Sequence, residues 1–125
     1  MPKVSKESAS QVRDFEMAED RREEFDGYSV SFVSIRQTHS LAPLLKGLPD
    51  DSCHCPHWGY VFKGKLTWSF GGRDEVYEAG DAYYAPPGHV PTAEAGSEFV
   101  QFSPSDELHK SEAAMMENMK EMQAG

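Results

Sequence analysis

Residues 57–70 read HWGYVFKGKLTWSF, two largely apolar segments that flank Gly64. In the second segment Leu66, Trp68 and Phe70 alternate with polar residues, which is the period of two expected for a strand with one buried face. The first segment is rich in aromatic and β-branched residues and has the length of a strand. The stretch therefore predicts two consecutive β-strands whose apolar side chains face a core.

Short strand patterns continue on both sides of this stretch. Downstream, glycines and prolines separate EVYEAGD, AYYAPPG, HVPTAEAG and SEFVQFSP. Upstream, the dipeptide Asp26-Gly27 lies between RREEF and YSVSFVSI and predicts a hairpin with a two-residue turn. Residues 37–50 show neither period and predict a loop whose leucines cover one end of the core. The pattern predicts an all-β sandwich or barrel.

The chain of 125 residues has the size of one domain. We divide it into a polar N-terminal arm (residues 1–20), a β-barrel (residues 21–104) and a C-terminal helix (residues 105–125). The sequence Ser-Pro-Ser-Asp from Ser103 predicts the helix start, with the Ser103 hydroxyl as N-cap. One helical stripe then packs on the barrel or on a partner subunit: Leu108, Met115, Met119 and Met122.

Charge and composition narrow the partners and the location. The formal net charge of -9 argues against nucleic acid and against anionic membranes, since both would repel this chain. No signal peptide or long apolar run is visible, so we expect a cytoplasmic protein without a membrane partner. The two cysteines, Cys53 and Cys55, are too close in sequence for an unstrained disulfide on a strand, and we expect free thiols.

Two segments resemble motifs of the cupin superfamily of small β-barrels. The segment GDAYYAPPGHVPTAEA (residues 80–95) is similar to the second cupin motif, and GYVFKGKL (residues 59–66) to the end of the first. The resemblance implies a cupin-like β-barrel, a jelly roll or double-stranded β-helix, followed here by the α-helix. The usual three histidines and glutamate of the family are not retained in register, because those positions hold Asp51, Cys53, His57 and Pro91.

The pattern is also similar to a bacterial cupin subgroup with C-x-x-P-H-x-G-Y-V-x-x-G and P-P-G-H. Its matching residues here are Cys53, His57 and His89. Cupin topology implies that these side chains point into the barrel, with Asp51 and Cys55 as additional candidate ligands. Thiolate and imidazole ligands suit Zn, and two histidines with a third ligand also suit Fe or Ni.

A metal site of this kind requires a bend in the chain. On a straight strand Cys53 and His57 would lie about 13 Å apart, too far to share one ion. Pro56 cannot donate to a strand ladder and supplies a reason for the bend. Two alternatives stay open: that the cysteines and histidines are only packed and hydrogen-bonded, and that Cys53 is a nucleophile activated by a nearby histidine.

Two functions follow from this interpretation. The first is a non-catalytic sensor or binding module that holds a small molecule and a divalent metal inside the barrel. The second is a small metal-dependent enzyme of the dioxygenase or isomerase type. Aromatic residues are expected to line the ligand pocket, namely Tyr60, Trp68 and Tyr84. Cupins commonly pair through edge strands, so the resemblance implies a homodimer, with the arm or the Met-rich helix as contributor.

Overall fold

The computed structural model describes residues 3–124 as a β-structure with one α-helix. The strands are β1 (Gln11–Asp14), β2 (Ala18–Phe25), β3 (Tyr28–Ile35), β4 (His39–Ser40), β5 (His57–Lys63), β6 (Lys65–Phe70), β7 (Arg73–Glu78), β8 (Ala82–Ala85), β9 (Val90–Ala93) and β10 (Glu98–Pro104). The helix α1 spans Ser105–Ala124, and two 3-10 turns occupy Ala42–Leu45 and Pro49–Asp51.

The strands form two sheets that face each other. One has six strands in the order β1-β2-β3-β10-β5-β8, and the other has four in the order β4-β9-β6-β7. Every described pairing is antiparallel. The main core lies between the sheets, because its buried members come from both: Ile35, Val61, Leu66, Trp68, Tyr77, Tyr83, Ala85 and Phe99. The all-β prediction and the strands downstream of Gly64 are confirmed.

Gly64 joins β5 to β6 at a place that only glycine fits. Its φ is 82°, and a Cβ there would lie 2.3 Å from Ser97 Oγ and 2.6 Å from Ser97 Cα. Side chains rarely adopt such a φ, and the backbone of Ser97 cannot move aside easily. The close approach ties the β5–β6 turn to the start of β10.

The hairpin predicted at Asp26-Gly27 is confirmed. Strands β2 and β3 pair in continuous register up to Phe25 opposite Tyr28. Asp26 and Gly27 both have positive φ, at 49° and 83°, as a two-residue type I′ turn requires.

The prediction of an arm through residue 20 needs correction, because strands begin at Gln11. Residues Gln11–Asp14 pair with β2 as the edge of the six-stranded sheet. Strand β2 itself begins at Ala18, ahead of the start expected from the sequence. The segment is polar because an edge strand is partly exposed to solvent. Its order comes from partners distant in sequence, such as Glu112, which forms an ion pair with Arg13.

Helix α1 is confirmed, but its start differs from the prediction. The helix begins at Ser105, whose backbone N–H donates to Gly27 O at 2.8 Å, while Ser103 still belongs to β10 and is buried. Leu108 packs with Leu45 at the barrel end, whereas Met122 is 60% exposed. The N-cap role of Ser103 was wrong because strand pairing continues through Pro104.

The helix docks on the leucine-containing segment that the sequence predicted to cover the barrel end. The amide of Asn118 donates to the carbonyls of Leu44 and Lys46 at 2.7 and 2.8 Å. Leu44 and Leu45 are both buried. Within residues 3–124, no helix is long and apolar enough to cross a membrane.

Candidate metal centre

Three predicted ligands meet at the floor of the barrel. One ligand atom from each of Cys53, His57 and His89 lies within 4.8 Å of the other two, and all three residues are buried. Cys53 Sγ is 3.9 Å from His57 Nε2, and the rings of His57 and His89 have centroids 4.9 Å apart. The structure thus brings together the three residues that match the C-x-x-P-H and P-P-G-H patterns.

The local chain path explains why these residues converge. Cys53 forms an isolated antiparallel bridge with His89, with backbone hydrogen bonds of 2.8 Å and 3.1 Å in the two directions. Residues opposite each other in such a bridge project their side chains to the same face. Pro56 lies between the bridge and the first residue of β5, His57, so the expected bend falls where the sequence predicted it.

His89 has one nitrogen engaged and one free. Its Nδ1 lies 2.6 Å from the carbonyl oxygen of Pro86, which can only accept, so Nδ1 carries the proton and donates. The other nitrogen, Nε2, is therefore an acceptor, and it is buried without a hydrogen-bond partner among residues 3–124. Buried polar atoms are nearly always paired, so the free lone pair of Nε2 beside a thiol and a second imidazole has the chemistry of a metal ligand.

His57 is held by a residue for which the sequence predicted a different role. Its Nδ1 lies 2.7 Å from Ser103 Oγ, which leaves Nε2 facing Cys53. Metal-binding histidines usually have their second nitrogen fixed in this way. Ser103 shares the inward parity of Phe99 and Gln101 on β10, and that alternation is the sequence signal that could have found it.

The site is neutral as described. Burial, together with the proximity of His89, lowers the pKa of His57 to about 3. Burial lowers the pKa of His89 to about 4. Burial also raises the pKa of the Cys53 thiol, whose Sγ lies 3.6 Å from Ser111 Oγ on α1. Both imidazoles are therefore uncharged at neutral pH, each with a proton on one nitrogen and a lone pair on the other, which is the form in which they bind metals.

A mostly apolar cavity of about 220 Å³ opens above the three residues. Trp68 lines it, with its ring 4.6 Å from that of His89. The prediction for Tyr60 and Tyr84 needs correction, since both are exposed (41% and 46%) on the outer side of the sheet. Alternation along β5 gives the reason: because His57 points inward, Trp58 and Tyr60 cannot both do so, and Tyr84 stacks on Trp58 outside.

Two further candidate ligands lie outside the group. Asp51 is exposed, and its carboxylate accepts from the backbone N–H of Gly47 at 2.9 Å. Cys55 is buried, but its Sγ is directed to the carbonyl oxygens of Pro56 and Pro104 rather than to the histidines. Neither belongs to the cluster of converging ligand atoms.

A charged group on one wall of the cavity was not predicted from the sequence. Arg22 is 4% exposed and donates to Asp20 at 2.6 Å and to both carboxylate oxygens of Glu112 at 2.6 and 2.7 Å. Arg13 donates to Glu112 from the edge strand at 2.8 Å. Two cations and two carboxylates balance each other here, so this wall carries no net charge.

Several solved structures, cupins among them, share this architecture. A protein of unknown function from Rhizobium leguminosarum bv. viciae is similar over 82% of this chain and 94% of its own, with 17% identity and a TM-score of 0.60. An RmlC-like cupin from Shewanella frigidimarina matches over 75% and 83%, with 17% identity and a TM-score of 0.51. KdgF from a Halomonas species matches over 75% and 86%, with 19% identity and a TM-score of 0.52.

Comparison with protein-family models and with curated proteins found no match. The class that the two sheets define is that of small β-barrel proteins with an inward-facing site. The fold is similar to that of solved cupins, which confirms the cupin-like β-barrel expected from residues 59–66 and 80–95.

Proposed function

We propose that Cys53, His57 and His89 bind one divalent metal ion, with Zn²⁺ as the ion that this donor set suits best. A thiolate and two imidazoles supply three protein ligands and leave a fourth tetrahedral position for another molecule. The observation that carries the proposal is the buried Nε2 of His89, which has no partner while its Nδ1 is fixed by Pro86. Fe²⁺ and Ni²⁺ remain chemically compatible with the same residues.

The cavity above the site supports binding of a small, largely apolar molecule. Its walls are formed by residues such as Phe15, Met17, Val33, Leu41 and Met115, so a ligand gains affinity mainly by apolar burial. The fourth coordination position then takes one oxygen, nitrogen or sulfur donor of that molecule. The protein would act as a metal-dependent binding or sensing module.

Two observations bear on the choice between a binding module and a metal-dependent enzyme, and they point in opposite directions. An open coordination position favours an enzyme, because catalytic metal sites keep one. Arginines engage both carboxylate oxygens of Glu112, and Arg22 engages Oδ2 of Asp20, so each carboxylate is held in an ion pair that opposes its use as a general base; only the buried Oδ1 of Asp20 has no hydrogen-bond partner among the described residues. We therefore favour the binding module and keep a dioxygenase or isomerase as the alternative.

Metal content and visible spectra test the site. Protein purified without chelator should contain about one metal per chain by elemental analysis. Cobalt added to the metal-free protein should give absorption bands of a four-coordinate, thiolate-ligated ion. Cys53→Ser should remove the thiolate band and His89→Ala the stoichiometric binding, whereas His54→Ala should leave both intact, since His54 bonds only near Pro49. If the metal-free protein binds neither zinc nor cobalt, the proposal is contradicted.

Oxygen consumption distinguishes the two functions once metal is shown. The iron-loaded protein is exposed to a panel of small carboxylates and thiols. Uptake of oxygen that depends on His57 and on one panel member favours the dioxygenase alternative. Binding of a panel member without turnover favours the module.

A further inference from the structure

The side-chain amide of Gln101 lies on the wall of the cavity, and only one of its two polar atoms is engaged. Gln101 is half-buried on the inward side of β10 and lines the cavity. Its Oε1 accepts from the hydroxyl of Tyr83 at 2.6 Å. Its Nε2 has no hydrogen-bond partner among residues 3–124 and is not one of their fully buried polar atoms. Because the side chain points inward, the N–H groups of this nitrogen face the cavity.

The bond to Tyr83 fixes which way round the amide lies. A separation of 2.6 Å is typical of a hydrogen bond between two oxygens and short for one from an amide nitrogen. Burial also raises the pKa of Tyr83 well above its usual range, so the phenol keeps its proton and donates it. Tyr83 therefore pairs with Oε1 and leaves Nε2, which can only donate, on the side of the cavity.

The sheet leaves a gap through which Tyr83 reaches this amide. Tyr83 on β8 and Gln101 on β10 both lie opposite Gly59 on β5, the strand between them. A Cβ at Gly59 would lie 2.5 Å from Tyr83 Oη, so a larger residue would push against the phenol. The ring of Tyr83 also stacks on that of Tyr77, with centroids 4.6 Å apart. Three adjacent strands thus hold one amide in a fixed orientation.

A second uncharged donor lies beside Gln101 on the same wall. Ser31 on β3 is directly opposite Gln101, is 4% exposed and also lines the cavity. Its Oγ accepts from Arg22 Nε at 3.2 Å, and its own hydrogen has no acceptor among residues 3–124. The Cβ atoms of opposed residues on one sheet face lie about 5 Å apart, so both donors can reach the same ligand atom.

The charges of this wall indicate the kind of acceptor. Arg13 and Arg22 are already paired with the carboxylates of Asp20 and Glu112, so neither is available to neutralise a charged ligand group beside Gln101. A buried ligand carboxylate at this position would lack a cation, which is costly. A carbonyl oxygen carries no charge and has two lone pairs, one for each of the two uncharged donors.

These donors lie close to the candidate metal centre. Gln101 is one inward position along β10 from Ser103, whose hydroxyl contacts His57. Two residues of a strand span about 6.8 Å, so one small molecule in the cavity can contact both the metal and Gln101.

From these contacts we infer that Gln101, together with Ser31, binds an uncharged carbonyl oxygen of the cavity ligand. Tyr83 acts as a positioning residue for the amide. The ligand class is then a small apolar ester, amide or ketone whose metal-binding atom lies a short distance from the carbonyl. This role rests on the proposed function, since it requires a ligand in the cavity that is anchored on the metal.

Two pairs of thiols that differ in one ester group test the role of Gln101. Ethyl thioglycolate and ethyl 3-mercaptopropionate offer a thiol to the metal and a carbonyl to the amide, whereas 1-pentanethiol and 1-hexanethiol have the same chain lengths without the ester. Calorimetry measures their affinities for the cobalt-loaded full chain, and the visible bands of cobalt report binding at the metal. The quantity compared is the ester preference, the affinity for an ester divided by that for its matched alkanethiol.

Gln101→Met should lower the ester preference about 10-fold and leave the alkanethiol affinities unchanged, because it removes the donor and keeps the length of the side chain. Gln37→Met is the matched control, since Gln37 is exposed and lies outside the cavity, and it should keep the preference of the unaltered protein.

Tyr83→Phe keeps the inference testable if Gln101→Met fails to fold. It removes only the hydroxyl that orients the amide, so the ester preference should fall by about 3-fold, whereas a purely structural effect would weaken both members of a pair alike. The same ester preference in every variant would overturn the inference and leave metal-dependent binding intact. A protein that holds no cobalt or binds no thiol would instead overturn the proposed function, and the role of Gln101 with it.

Discussion

At the scale of single residues, Ser103 determines which ring nitrogen of His57 is available to bind a metal. Its hydroxyl lies on the Nδ1 side of the ring at 2.7 Å, and Nε2 is left on the side of Cys53. In the absence of this partner the ring loses the contact that fixes its orientation. The prediction that follows concerns metal affinity rather than stability alone.

Ser103→Ala should weaken zinc binding by about 10- to 100-fold, the usual effect of removing a residue that orients a metal ligand. The measurement is a competition titration of metal-free protein against a chromophoric chelator. Ser52→Ala is the control, because Ser52 is also buried and adjacent to Cys53, yet its hydroxyl donates to Pro49 O. Equal affinities for the two variants would contradict a role for Ser103.

The residues of the candidate site differ in how far the sequence could predict them. Cys53, His57 and His89 could be predicted because they are ligand types at a recognisable spacing. Ser103 continues the alternation of Phe99 and Gln101, but this signal was outweighed because the local sequence Ser-Pro-Ser-Asp also fits a helix cap, and it is the pairing with β3 that shows the strand continuing to Pro104. Long-range pairing overrode the local pattern.

At the scale of elements, helix α1 closes one end of the barrel through a buried ion pair. Glu112 on the helix meets Arg22 on β2 and Arg13 on β1, with Asp20 on the far side of Arg22. Burial alone would raise the pKa of Glu112, but hydrogen bonds and charges from the arginines prevail and lower it. Burial raises the pKa of Asp20 despite the same Arg22.

The two shifts have opposite consequences for stability. A lowered pKa in the folded state means that ionised Glu112 stabilises the fold above its unfolded value near 4.5, and that this contribution is lost as the pH falls through the folded pKa. The raised pKa of Asp20 means that its contribution is fully present below its unfolded value near 3.8 and is lost as the pH rises through its folded pKa.

Glu112→Gln should lower the free energy of unfolding at pH 7 by about 2 kcal/mol, because the buried Arg22 loses a charged partner while the amide retains one hydrogen bond. The difference from the unaltered protein should shrink as the pH falls below about 4.5, where Glu112 of the unfolded chain takes up a proton, and should be lost once the pH falls below the lowered pKa of Glu112 in the folded protein. Urea unfolding at pH 7 and at a pH below 4.5 measures this difference in the free energy of unfolding. Glu117→Gln, on an exposed position of the same helix, should change stability by less than about 0.5 kcal/mol at either pH.

The elements also differ in how far the sequence could predict them. Strands with local alternation and a turn signal, such as the hairpin at Asp26-Gly27, followed from the sequence alone. Strand β1 did not, because its four residues are polar and mostly exposed, and their order comes from pairing with β2 and from the ion pair of Arg13. An edge strand of this kind carries little periodic signal.

At the scale of the whole molecule, one sheet serves two surfaces. The inward set on β3, β10 and β5 lines the cavity and includes His57, while the outward set includes exposed aromatic residues such as Trp58 and Phe102. Tyr60 and Tyr84 were assigned to the pocket because aromatic residues commonly line pockets, but their parity relative to His57 places them outside. The sequence could predict the strands that carry these residues. Assigning each side chain to the inner or outer face additionally required one residue known to point inward, such as His57.

Metal binding at the proposed centre should also stabilise the whole fold, because the bridge between Cys53 and His89 lies outside the named strands and a bound ion would tie it to β5. Binding to the folded state alone adds about 2.7 kcal/mol at a zinc concentration of 100 times Kd. For a chain of this size that raises Tm by about 10 °C. Differential scanning fluorimetry with zinc and with chelator measures the shift. Cys55→Ala should keep it, since Cys55 lies outside the ligand group, whereas His57→Ala should abolish it. An equal shift in both variants would mean that zinc acts elsewhere, since only His57 among the two contributes a ligand atom to the centre.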